Sequence, residues 1–349
     1  MHSSRPAANT YEPIYTRAQP TYFIAACRYR HGAHNFVMVG CEGDYSNIHR
    51  QHHYQILSAV GKIAKDQHSS ACKLLSSGLT ATLINESVSK EKNGFYDLHY
   101  QAYEISYTQY QQYIALLEAI QGESTKPLRY YFVPNFYDEQ APADQTKFMH
   151  SSATTPAQKP NKLAITPDIK NQHTTLAASN TCRHTSLALL KQAGVTDPSL
   201  STSWLGKLTN RMFVANGKIK SPLFIRPASI TVEKHQHPEH YQLLNKLRGG
   251  IIALANSRYS IELAVHKANA LRDLYNKLNS SDNSNQAAVR DIIEDWKHKT
   301  GPSGIVNAQL IEERRRSYCL SLFNPKQSTS TKLVASLLPP LPPANSRIA

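Results

Sequence analysis

The chain has 349 residues, 40% hydrophobic and 18% charged, with a formal charge of +14. That length and balance describe a folded protein with one large core or two ordinary domains, and exclude a fully disordered chain. No run of about 18 apolar residues occurs, so no membrane-spanning helix is expected.

Residues 1–20 are polar, with Pro6, Pro13 and Pro20, and read as a flexible arm. TYFIAACRY (21–29) and HNFVMVG (34–40) are short apolar runs flanking Arg30-His31-Gly32-Ala33, the pattern of a β-hairpin. Residues 47–66 place apolar side chains at 56, 57, 60 and 63, a spacing that predicts a helix. GLTATLIN (78–85), FYDLHYQAYEI (95–105) and RYYFVPN (129–135) predict strands. Between the last two, YTQYQQYIALLEAIQ (107–121) carries a helical apolar stripe. Residues 137–177 are rich in Ala, Thr, Pro, Gln and Lys and read as a flexible insertion. Residues 217–232 predict extended chain, and 241–278, 285–298 and about 304–323 predict helices. The tail, 326–349, ends in LLPPLPPANSRIA and reads as disordered and polyproline-like.

The stretch ASNTCRHTSLALLKQAG (178–194) is the most informative. Asn180 or Thr181 caps a helix, Leu187, Leu190 and Ala193 form its apolar face, and Gly194 stops it. Cys182 therefore falls in the first turn, where free N–H groups and the positive end of the helix dipole favour a thiolate. Arg183 adds positive charge. A nucleophilic cysteine also needs a base to share its proton. His184 does not face it, because residues two apart lie on different sides of a helix. His34 and His99 lie on predicted strands able to pack against this helix, and either fits the role of base. A third polar group would orient the imidazole. His99, Asp44 and Glu42 are the candidates.

This order of parts resembles the permuted papain-like thiol hydrolases, which include NlpC-like, PPPDE-type and lecithin retinol acyltransferase-like proteins. In that superfamily a histidine opens a strand, further strands follow, and an Asn-Cys step opens a helix. Here RHGAHNFVMVG supplies His34 at a strand start, and YYFVPN and NTCRHTSLALLKQAG follow, with Thr181 between Asn180 and Cys182. The resemblance covers residues 21–232. It implies an α+β fold, an antiparallel sheet packed on helices, with Cys182 as nucleophile, His34 as base and His99 as third member. A helical region, 233–325, then follows.

Other signals are weaker. Cys27, Cys41, Cys72, Cys182 and Cys319 show no CxxC pair, which argues against a disulfide scaffold and for a reducing, cytoplasmic compartment. MHSSRPAANTYEPIYTR lacks the apolar core of a secretory signal. HQHPEH (235–240) groups His235, His237 and His240, but Pro238 breaks the helix spacing and no matching ligand cluster exists, so no metal is expected. Gly249-Gly250 suggests a kink or a helix boundary rather than a phosphate loop. The basic residues are dispersed; Glu312-Glu313-Arg314-Arg315-Arg316 reads as a solvated helix face, and nucleic acid is not an expected partner. No cofactor is expected. The polar, Asn- and Lys-rich style resembles effector proteins that intracellular bacteria inject into host cells, which implies work in a host cytosol on a host protein.

Two functional readings follow. One is a cysteine-dependent enzyme acting on an acyl bond, as a protease, deamidase or acyltransferase. The other is a non-catalytic adaptor that binds an anionic or host protein partner through its basic surface and helical region.

Overall fold

A computed structural model describes residues 14–17, 20–42, 54–65, 78–86, 95–121, 131–135, 145–150, 163–197, 200–205, 207–255, 261–280, 286–301, 304–313 and 328–338. The chain divides into two compact units, residues 1–221 and 222–349. The fold is α+β. Among the described residues no helix is long and apolar enough to cross a membrane.

The first unit is built on a closed antiparallel β-barrel. Its strands are β2 (Tyr22–Tyr29), β3 (Asn35–Glu42), β4 (Tyr54–Ala64), β6 (Phe95–Ile105), β10 (Asn210–Ala215) and β11 (Lys218–Ile219). They pair in the order β11-β10-β6-β2-β3-β4, and a β11–β4 pairing closes the ring. Two further strands, β5 (Leu79–Asn85) and β9 (Thr175–Leu176), extend from β4 as a flap. Side chains alternate along each strand. One set faces inward, as in the opposed pairs Ala25–Met38, Cys27–Phe36 and Met38–Ala59. The other set, including Ile24, Ala26, Val37, Val39, Leu57 and Val60, belongs to an outer core.

Helices α1 (Tyr107–Gln121) and α3 (Cys182–Gln192) cover that outer face with Ile114, Leu117, Leu189 and Leu190, and the short α4 (Thr202–Leu205) follows α3 in the chain. Beside them lies a small sheet of β1 (Ile14–Arg17), β8 (Gln145–His150) and β7 (Phe132–Asn135). The strand expectations at 21–29, 34–40, 78–85 and 95–105 and the helix at 107–121 match these elements.

Three expectations need correction. Residues 54–64 form a strand, not a helix. Tyr54 and the run from Ile56 to Lys62 are buried because one side lines the barrel and the other lies under helices. A strand covered on both faces loses its alternation, and the apolar run mimics a helix stripe. The 137–177 segment contains β8, β9 and α2 (Pro167–Thr174), with Thr166 Oγ1 accepting from the Ile169 N–H as its cap. Within the expected arm, β1 pairs with β8.

The second unit is helical, with α5 (Pro238–Ala255), α6 (Ile261–Ser280), α7 (Gln286–His298), α8 (Asn307–Glu312) and α9 (Thr329–Ala335). Leu244, Leu247, Leu271, Leu274, Ile293 and Trp296 form its core. The buried Trp296 ring N–H donates to the Ala270 carbonyl at 3.0 Å. Helix α5 runs unbroken through Gly249-Gly250, so neither glycine is a boundary. Pro238 opens α5, and His240 bonds the Leu278 carbonyl at 3.0 Å. No group of His, Cys, Asp and Glu suited to a metal occurs among the described residues. The expected tail contains α9, while the PPLPP run and Arg314–Arg316 lie outside the described residues.

Candidate active site

Cys182 is the first residue of α3, and Thr181, in extended conformation, is the N-cap. His184, at the third helical position, reaches back so that its Nδ1 lies 3.1 Å from the Thr181 backbone N. A backbone N–H only donates, so this Nδ1 is unprotonated. Gly194 closes the helix at φ 82, a left-handed conformation that costs glycine little. α3 (Cys182–Gln192) packs on β3, and this brings the cysteine to the start of that strand.

The strand start supplies the rest of the site. The Asn35 backbone N–H donates to Cys182 Sγ at 3.5 Å. Its neighbour His34 lies beside the Cys182 thiol, close enough for each group to shift the other's titration. Nε2 of His34 also lies 2.8 Å from Oε1 of Glu86. The other Glu86 oxygen accepts from the Tyr29 hydroxyl at 3.2 Å. Glu86 directly follows β5 and is 5% exposed. The Asn35 side chain braces the corner: it accepts from Arg183 Nε at 3.3 Å and donates to the Leu205 and Cys27 carbonyls.

Electrostatics follow from these contacts. Burial alone pushes the Cys182 thiol up, but the His34 ring beside it, the Asn35 N–H and the charges of His34 and Arg183 outweigh it and hold the thiol below its ordinary value. Burial likewise pushes His34 down. Its contacts with Cys182 and Glu86 and their charges reverse that and raise it to about 9. Both shifts favour the thiolate–imidazolium form at neutral pH.

Beneath the start of the helix lies Lys62, 2% exposed. Its ammonium donates to the carbonyls of Gln172 at 3.1 Å, Thr175 at 2.8 Å and Asn180 at 2.8 Å, and to Asn180 Oδ1 at 2.9 Å. Burial lowers Lys62 to about 8, against the opposing pull of Cys182. Asn180 thus ties to Lys62 rather than capping α3 (Cys182–Gln192); its amide N donates to Thr175 O at 3.1 Å and Thr175 Oγ1 at 3.0 Å.

Of the residues singled out in the sequence, the structure brings together Cys182 and His34. It does not bring His99 to them. His99 sits on β6 opposite Arg28 and Arg211 and is held below its ordinary value by burial and by arginine charge. Glu42 ends β3, the opposite end of the strand from His34, and Asp44 lies outside the described residues. The third position is held by Glu86, which the sequence reading missed. Its one sequence signal is an acid placed just after a strand.

The chain matches no family model, no curated protein and no solved structure.

Proposed function

We propose that the protein is a cysteine-dependent acyl-bond enzyme of permuted papain-like type. The single observation that carries this is the Cys182–His34–Glu86 chain of contacts, with the thiol held down and the imidazole held up. A nucleophile, a base beside it and an acid hydrogen-bonded to that base form the general arrangement for nucleophilic catalysis.

In this reading the Cys182 thiolate attacks the acyl carbon. A C–S bond forms and the carbonyl electrons move to oxygen. The backbone N–H of Cys182, in the first turn and without an intrahelical acceptor, helps hold that oxyanion. With Nε2 of His34 on Glu86, Nδ1 is assigned the proton. Collapse of the intermediate breaks the bond to the leaving amine or thiol, which takes that proton. His34, now neutral, deprotonates water or an acceptor amine or alcohol. The new nucleophile attacks the thioester, the C–S bond breaks, and the thiolate and imidazolium are restored. The substrate class is an amide, peptide, isopeptide or thioester.

The test is the rate of iodoacetamide labelling at Cys182 from pH 4 to 9, in the full chain and in His34→Ala. Fast labelling at pH 6 that slows in the variant supports the pair. Labelling that follows an ordinary thiol near pH 8.5, unchanged in the variant, overturns it and leaves the adaptor reading.

A further inference from the structure

We infer that Lys62 is a positioning residue of this site, fixing the start of the cysteine helix and supplying the buried positive charge beneath its thiolate. This rests on the Cys182–His34 reading above.

A buried ammonium is expensive unless its hydrogen bonds are met, and an aliphatic side chain would fill the same space without that cost. Lys62 is nonetheless buried, and the acceptors around it are all carbonyl oxygens. The bonds described for Nζ involve no carboxylate. They converge on one short piece of chain, the end of α2 (Pro167–Thr174) and the turn that closes with Asn180 N–H to Ala177 O at 2.9 Å. That turn delivers Thr181 and Cys182. The ammonium therefore organises the backbone leading into the nucleophile, and its charge is felt at Cys182.

The same charge separates the nearby histidines. His173 and His184 both feel Lys62, and both are held below their ordinary value, by burial first and by the ammonium second or later. His34 is the histidine of the three that gains a carboxylate partner and rises. The titratable groups that feel the Lys62 charge are thus Cys182, His173 and His184. The two histidines are held toward the neutral form and Cys182 toward the thiolate.

Strand geometry makes Lys62 a partner of the catalytic pair. Gly61 and Lys62 are consecutive on β4 and face opposite sides of it. Gly61 meets His34 and Glu86, while Lys62 meets the turn before Cys182. One strand thereby sets both halves of the pair against each other.

The experiment compares iodoacetamide labelling against pH in the full chain, in Lys62→Met, in Asn180→Ala and in His34→Ala, with melting temperature and far-ultraviolet circular dichroism beside it. Lys62→Met is expected to keep the folded spectrum, to label at pH 6.5 about tenfold more slowly, and to show its acid limb moved to higher pH. A purely structural lysine would lower the melting temperature and leave rate and acid limb unchanged, and that result overturns the proposal. If Lys62→Met fails to fold, Asn180→Ala decides. It keeps the ammonium and removes one acceptor, and severalfold slower labelling supports positioning while the parent rate overturns it. Ordinary labelling in the parent chain, insensitive to His34→Ala, is a separate outcome. It sinks the catalytic pair itself, and the Lys62 role with it.

Discussion

The Glu86 carboxylate reaches the His34 imidazole at 2.8 Å because residue 61, between them, has no side chain. A β-carbon on Gly61 would lie 1.9 Å from Glu86 Oε1 and 2.6 Å from His34 Nε2. Gly61 is paired in the sheet with Phe36 and Ile84, so the backbone has little room to retreat. Gly61→Ala is therefore expected to fold but to push acid and base apart. A misplacement of about 1 Å costs on the order of 100-fold in reactions that depend on geometry. The labelling rate of Cys182 at pH 6.5 checks this, with circular dichroism as the control for folding. An unchanged rate would show that the His34–Glu86 contact is not needed.

Glu86→Gln tests charge rather than shape. The amide keeps the size and an acceptor for the Tyr29 hydroxyl, but it removes the negative charge that helps raise His34 to about 9. The alkaline limb of the labelling profile reports loss of the imidazolium, so it is expected near pH 9 in the parent chain and lower in the variant. At pH 7 the variant is expected to label about tenfold more slowly, as a shift near 1.4 kcal/mol would give. A variant whose two limbs both coincide with the parent would remove Glu86 from the site.

The hairpin around residues 30–33, the strand 95–105 and the helices 107–121 and 182–192 were legible because each shows a local pattern bounded by a turn or a cap. Cys182 and His34 were legible for the same reason, one at a helix start and one at a strand start. The strand at 54–64 was not, since burial on both faces removes the period that identifies a strand. Lys62 and Glu86 were hidden by their chemistry. A lone Lys or Glu in a sequence is most often solvent-facing, and here both are buried by contacts far away along the chain, Lys62 with Asn180 and Glu86 with His34. His99 was misassigned because strand order cannot be read from strand patterns. β6 lies on the far side of β2 from His34.

The helical unit offers a test of packing independent of the site. Gly249 and Gly250 are adjacent in α5 (Pro238–Ala255), yet their surroundings differ. A β-carbon at 249 meets nothing within 4 Å, whereas one at 250 would lie 2.3 Å from Leu333 Cδ2. Alanine is better than glycine in a helix by about 1 kcal/mol. Gly249→Ala is expected to stabilise the unit by about that amount. Gly250→Ala gains the same propensity but must displace Leu333, so it is expected to stabilise less or to destabilise. Urea unfolding followed by circular dichroism compares the two. Equal gains would mean that Leu333 yields freely.

His173 makes the chain acid-sensitive in a way that separates it from His34. It is fully buried, with Nε2 3.2 Å from Gln192 Oε1, and burial with the Lys62 charge lowers it from 6.5 to about 4. The unfolded chain then binds a proton near pH 6.5 that the folded chain refuses until about pH 4. Stability from this group is complete above pH 6.5 and is lost between pH 6.5 and about 4. The full loss is about 3 kcal/mol. His34 has the opposite sign, because its raised value gives stability present below pH 6.5 and lost as pH rises through about 9. His173→Gln removes the acid-side group alone. Its urea stability at pH 4.5 should approach its own value at pH 7 more closely than in the parent chain, by about 2–3 kcal/mol. A variant that loses as much stability as the parent between those pH values would show that His173 takes up its proton in the folded state.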